Sequence, residues 1–149
     1  MRSILFLSVM SIILNTSAYA GGDDIIGMWN TQEKDAKIEI IHCGEKYCGK
    51  IVWLKEPNYS EGSKSGTPGT PLLDRNNPDR LLKNKTLMGL RIMYDFVYDG
   101  GNTWTAGKVY DPTNGKAYSA IMTLVSTNQL NLRGFIGISL LGRTEIWTR

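Results

Sequence analysis

His42, Cys43 and Cys48 are the residues of this chain best suited to nucleophilic, redox or metal chemistry, and they fall within one short stretch. A lone histidine leaves at most one conventional general base and excludes His-rich metal sites. Adjacent residues on a strand point to opposite faces, so His42 cannot join Cys43 and Cys48 around one zinc ion, and an interior, hydrogen-bonded histidine is the expectation. Active dithiols have two intervening residues next to a helix start, whereas Cys43 and Cys48 enclose Gly44-Glu45-Lys46-Tyr47. They flank a turn between strand-like segments. A register that sets them opposite one another satisfies the ~4.4–6.8 Å Cα separation of a disulfide, which would fix the hairpin in an oxidising compartment. The acids offer less. Asp74-Arg75-Asn76-Asn77-Pro78-Asp79 begins like a calcium loop, but proline fills the fifth position, the sixth lacks glycine and the twelfth is Lys85. It reads as a turn and a helix cap. Most acids sit in turns or on outward faces; of the two exceptions to weigh, Asp111 before Pro112 is more simply a turn start and Glu145 can pair with a neighbouring arginine, and no triad or carboxylate dyad is recognisable. No catalytic residue, metal ligand or cofactor site is assigned.

Aromatic residues carry the remaining signal. Tyr94, Phe96 and Tyr98 alternate along one segment, Trp104 and Tyr110 lie on the next, and Tyr118 and Met122 on the one after. Such a stripe fills a core, and its tyrosine hydroxyls can also orient a small ligand. These seven residues are the candidate ligand contacts.

Elements that position them follow from the period of the pattern. Lys37 to Cys43 alternates, with Ile38, Ile40 and His42 on one face. Further strand-like segments are Met28 to Thr31, Tyr47 to Leu54, Thr86 to Tyr98, Trp104 to Tyr110, Lys116 to Val125, Gln129 to Ile136 and Arg143 to Arg149. Between Lys55 and Lys85 repeated Pro and Gly break any period, and Asn77-Pro78-Asp79-Arg80-Leu81-Leu82 predicts one short helix within that long connection. Eight strands joined mostly by tight turns predict an all-β, antiparallel up-and-down barrel, because closure removes exposed edges. An outer-membrane barrel would need an uncharged lipid face, and Lys37, Glu39, Arg91 and Asp95 occupy outward positions.

Compartment is read from the first residues. Arg2, an apolar run from Ile4 to Leu14 and Ala18-Tyr19-Ala20 form a secretory signal with cleavage after Ala20. The expectation is therefore a signal peptide over residues 1–20 and a single domain over 21–149, periplasmic or secreted. The apolar run is shorter than the ~20 residues of a membrane-spanning helix. Net charge is +3 with scattered Lys and Arg, so no concentrated basic surface points to nucleic acid.

Gly27-x-Trp29, Cys43-Gly44, Cys48-Gly49-Lys50-Ile51-Val52-Trp53-Leu54, Asp74-x-Asn76-Asn77-Pro78, Gly107-Lys108-Val109-Tyr110-Asp111-Pro112, Gly115-Lys116-x-Tyr118-Ser119-Ala120 and Arg133-Gly134-x-x-Gly137-x-Ser139-Leu140-x-Gly142-Arg143-Thr144-x-x-Trp147 together resemble the bacterial domain-of-unknown-function family 2147. That resemblance implies an exported bacterial protein. The Gly-x-Trp start is also similar to lipocalin and calycin barrels, in which a tryptophan closes the floor and a last-strand arginine packs over it. On that likeness Gly27, Trp29, Trp147 and Arg149 are structural, with Arg149 stacking near Trp29. The function expected is binding of a small, partly apolar ligand, since eight strands can leave room for one. The alternative is a module whose loops grip another envelope protein or inhibit an enzyme, with a hydrolase ranked behind it.

Overall fold

A computed structural model describes residues 21–149, and the expected signal peptide lies outside them. Eight strands form one closed antiparallel barrel in sequence order: β1 Gly27–Asn30, β2 Ala36–Cys43, β3 Lys46–Leu54, β4 Arg91–Gly100, β5 Thr103–Asp111, β6 Lys116–Ser126, β7 Gln129–Phe135 and β8 Arg143–Thr148. Closure rests on β1 against β8, where Asn30 pairs with Thr148 and its side-chain amide donates to the Thr148 carbonyl at 3.1 Å. Among the described residues no helix is long and apolar enough to cross a membrane.

Alternation on β2 turns Ile38 and Ile40 inward against Trp29 and Gly49, as the period-2 pattern requires. His42 shares that face but lies past the end of the core. Its side chain is 47% exposed and its Nε2 sits 2.8 Å from Asp23 Oδ1, so the expected interior histidine is a rim histidine. Cys43 and Cys48 form the disulfide, with Cα atoms 5.8 Å apart. They are diagonal rather than opposite, because Cys43 faces Lys46 and Cys48 faces Ile41.

One end is closed by the segment that precedes β1. A single 3₁₀ turn, Gly22–Ile25, crosses the barrel floor and takes the polar groups of three large buried rings. Trp29 Nε1–H donates to the Ile25 carbonyl at 2.8 Å, Trp104 Nε1–H to the Gly22 carbonyl at 3.1 Å and the Tyr47 hydroxyl to Asp23 Oδ1 at 2.8 Å. A buried ring N–H without an acceptor is costly, so these bonds make burial of both tryptophans affordable. Burial and the Asp23 carboxylate push the Tyr47 phenol up to about 12. Arg149 covers the outside of the floor, 4.3 Å above the Trp29 ring, and donates to the carbonyls of Asp24, Ile26 and Thr127. Gly27 has φ of +126°, a conformation that L side chains rarely adopt, beside that arginine.

Two departures from regular alternation shape the middle of the sheet. Asp95 and Ala106 have φ of +60° and +58°, and the pairing of β5 with β6 slips between Trp104 and Gly107. Each is a bulge that resets which side chains face inward. Gly107 then meets the flat of the Phe96 ring, and a Cβ there would clash with it.

Residues 55–90 form the long connection, and they contain no helix. Side chains that could have capped a helix cap turns instead: Asn77 Oδ1 accepts from Asp79 N, and Asp79 Oδ1 accepts from Leu81 N, both at 2.9 Å. β4 also starts at Arg91 rather than at the expected Thr86, because Thr86 bridges to Leu73 and Gly89 turns the chain at φ +82°.

Candidate functional site

The residues expected to form one ligand-facing stripe separate into three places, and the bulges are the cause. Phe96, Trp104 and Met122 are fully buried in the closed half, with Tyr98 packed on Trp104 at a ring separation of 5.1 Å. Tyr94 pairs with Lys108 and Tyr110 with Ala117, on the outer face, while Met93 pairs inward with Val109. Tyr118, opposite Val109, faces into the open end. The expectation of a single inward face is thereby corrected: Tyr94 and Tyr110 point out beneath the long connection.

That connection is pinned to the barrel wall by a buried carboxylate. Asp74 is 0% exposed; its Oδ1 accepts from the Tyr110 hydroxyl and its Oδ2 from Asn77 Nδ2, each at 2.7 Å. Two hydrogen bonds offset the cost of burying the acid without a cation beside it. Burial first, then Asp74, raises the Tyr110 phenol well above the ordinary tyrosine range. Asn76 Nδ2 adds bonds to the carbonyls of Pro112 and Thr113, at 3.0 and 2.9 Å, tying the loop to the β5–β6 turn.

At the open end a cleft of about 460 Å³ enters the barrel. Ile92, Val109, Leu132 and Trp147 supply apolar wall, while Tyr118, Glu145 and Arg143 supply polar groups. Register explains the grouping: Leu132 faces Glu145, Gly134 faces Arg143 and Leu130 faces Trp147, so alternate residues of β7 and β8 share the inner side. Glu145 Oε2 accepts from Trp147 Nε1–H at 3.1 Å. Asn114 Nδ2 donates to both Tyr118 Oη and Asp111 Oδ2 at 3.0 Å, which fixes the rim. Among the described residues neither Arg143 nor Glu145 is part of a salt bridge. Apolar walls of this size with a few fixed polar groups suit a small amphipathic molecule. Glu145 could accept a hydrogen bond from it, and Tyr118 could donate one.

Sequence reasoning singled out Tyr118 and Glu145 but missed Ile92, Val109, Leu132, Gly134 and Arg143. The signal was present on β7 and β8. Leu130, Leu132 and Gly134, like Trp147, Glu145 and Arg143, recur with period two. Ile92 alternates with Tyr94 and Phe96 in the sequence, but that period could not show the register shift between Gly49 and Lys50 beside which both Ile92 and Met93 are buried.

The fold has a solved counterpart. A structure titled "Protein HP1028 from the human pathogen Helicobacter pylori belongs to the lipocalin family" superposes with a TM-score of 0.69. It is 22% identical, over 84% of this chain and 82% of that one, a likeness that establishes the lipocalin-like architecture. No curated protein matches the sequence at a significant level. A family model described as "Uncharacterized protein conserved in bacteria" matches residues 27–149, and the chain belongs to that family, DUF2147.

Proposed function

We propose that the protein is an exported binder of one small, partly apolar molecule, working in the periplasm or outside the cell. The observation that carries the reading is the open-end cleft of about 460 Å³, apolar along Ile92, Val109, Leu132 and Trp147 and polar at Tyr118, Arg143 and Glu145. Of the aromatic residues first considered, Tyr118 lines it and Tyr110, turned outward, only borders it; Phe96, Trp104 and Met122 support it from the core below. The signal-like start and the disulfide agree with export.

Native mass spectrometry of protein isolated from its own host tests this, with Gly134→Leu as the blocking variant. A Cβ at Gly134 makes only ordinary contact, 3.7 Å from Tyr118 Cβ, so the larger side chain can enter the cleft without breaking the sheet. A bound mass on the wild type and its loss from the variant is the expected result. A wild-type protein free of adduct, whose Trp147 fluorescence responds to none of a panel of amphiphiles, would overturn it.

One observation favours a protein-interaction reading. The β7–β8 connection exposes Ile136, Ile138, Leu140 and Leu141 by 68%, 59%, 81% and 78%, an apolar rim that costs solubility. Capture of one envelope protein by the wild type, lost on Leu140→Ser/Leu141→Ser and unchanged by Gly134→Leu, would replace the first reading with this one.

A further inference from the structure

We infer that the protein has a second binding site, outside the barrel, for a small monoanion with an aliphatic body. A cleft of about 540 Å³ separates the returning limb of the long connection from the outer wall at Tyr94, Tyr110 and Ala117. It is held open by construction. Asp74 fastens one side of the limb to Tyr110, Asn76 fastens its turn to Pro112 and Thr113, and the Gly89 N–H and Leu90 carbonyl pair with Ile51 on the other side. The backbone of Asn76 lies so close to Gly115 that any side chain there would collide with it. Suspended between these points, the limb cannot settle onto the Tyr94 ring.

The lining is apolar with one sign of charge. Leu82, Met88 and Leu90 face it together with Tyr94, and Leu82 and Met88 remain 39% and 38% exposed. Its charged members are Lys85 and Arg91, and it has no acidic member. Among the described residues neither cation is in a salt bridge. Asp74, the acid behind this wall, has both oxygens taken by Tyr110 and Asn77. Burial and, more weakly, Asp74 raise the Tyr94 phenol while the Arg91 charge pulls the other way, so the cation's influence on the ring is larger than the acid's. Two unpaired cations beside a partly exposed apolar surface select an anion carrying an aliphatic tail, and a carboxylate amphiphile has that chemistry. This site is separate from the inner cleft in position and in charge, so it does not depend on the function proposed above.

Decanoate, decan-1-ol and decylammonium, each titrated below its micellar concentration, serve as probes in ¹⁵N-resolved NMR and calorimetry of the Gly134→Leu protein. Expected are decanoate-induced shifts at the amides of Leu90 to Tyr94 and Ala117, and weak or no binding of the other two. The double variant Lys85→Gln/Arg91→Gln should weaken decanoate about tenfold or more while the fold, read from its spectrum, is kept. The proposal is overturned if decan-1-ol binds as well as decanoate, if charge removal has no effect, or if no probe binds once Gly134→Leu has closed the inner cleft. Vesicles containing an anionic phospholipid form the control arm: sedimentation with them in the absence of any response to free decanoate would assign the cations to a membrane surface and reject the small-ligand site.

Discussion

Tyr110→Phe removes one oxygen and should loosen the entire long connection. In the wild type the fully buried Asp74 has one acceptor oxygen bonded to Tyr110 and the other to Asn77. Deleting the phenolic donor leaves Oδ1 unsatisfied where water has no access, at a cost of about 1–3 kcal/mol. A domain of this size loses roughly 3–5 °C of melting temperature per kcal/mol, so a cost of about 2 kcal/mol corresponds to about 6–10 °C. If the limb detaches before the barrel melts, the global midpoint falls less. The lost free energy then appears as faster exchange at the Asp74 amide, which donates to the Lys85 carbonyl, and at the Leu87 amide, which donates to Leu72. Thermal unfolding by circular dichroism combined with native-state hydrogen exchange covers both routes. Tyr94→Phe is the internal reference, since that hydroxyl donates to the exposed Arg91 carbonyl and its loss should cost well under about 1 kcal/mol. Equal effects of the two variants in both assays would refute the view that Asp74 anchors the loop.

Arg149→Ala removes three donations to backbone carbonyls and the stacking on Trp29; with the side chain solvent-exposed, the expected loss is about 1–2 kcal/mol in denaturant unfolding, and lysine should restore little because it lacks the planar fork. Cys43→Ser/Cys48→Ser opens a very short loop, so stability should fall by about 2 kcal/mol, the low end for disulfides, with the barrel spectrum retained. The Tyr47 phenol is held protonated up to about 12 in the folded state, against about 10 unfolded. The folded chain therefore binds that proton more tightly, the contribution is complete below pH 10 and is lost as pH rises toward 12. Denaturant midpoints between pH 9 and 12 should fall more steeply for the wild type than for Tyr47→Phe.

Alternation made the barrel legible, because Ile38 with Ile40 and Leu130 with Leu132 state their faces in the sequence. The stack of Arg149 on Trp29 was legible through the likeness of the Gly-x-Trp start to lipocalin barrels, whereas the Gly22–Ile25 turn beneath it had no mark in the pattern. What alternation cannot show is a bulge at a residue other than glycine. Asp95 and Ala106 carry positive φ with no compositional mark, and each shifts the count by one, which is enough to turn Tyr94 and Tyr110 to the opposite side. The helix expected at Asn77 failed for a related reason. Asn-Pro-Asp suits a helix start and a run of turns equally, and the choice was made by Asp74 and Tyr110, which are 36 residues apart. Arg143 carried the right period, yet a charge on a strand reads as solvent-facing until a cleft is there to receive it.

The floor has a consequence for the order of folding. Its segment, Gly22–Ile25, stands at the beginning of the barrel domain, but its partners come late: Trp104 is 82 residues away from Gly22, and Arg149 is 125 from Asp24. Pairings so distant in sequence incur their loop-closure entropy before any contact compensates for it, so strands β2 to β7 can zip between neighbours while the seam waits. Folding strand by strand would therefore leave the Trp29 ring without its Arg149 cover until β8 is in place. Until then an apolar ring at the floor is open to contacts with other chains, and Arg149 is the side chain that covers it.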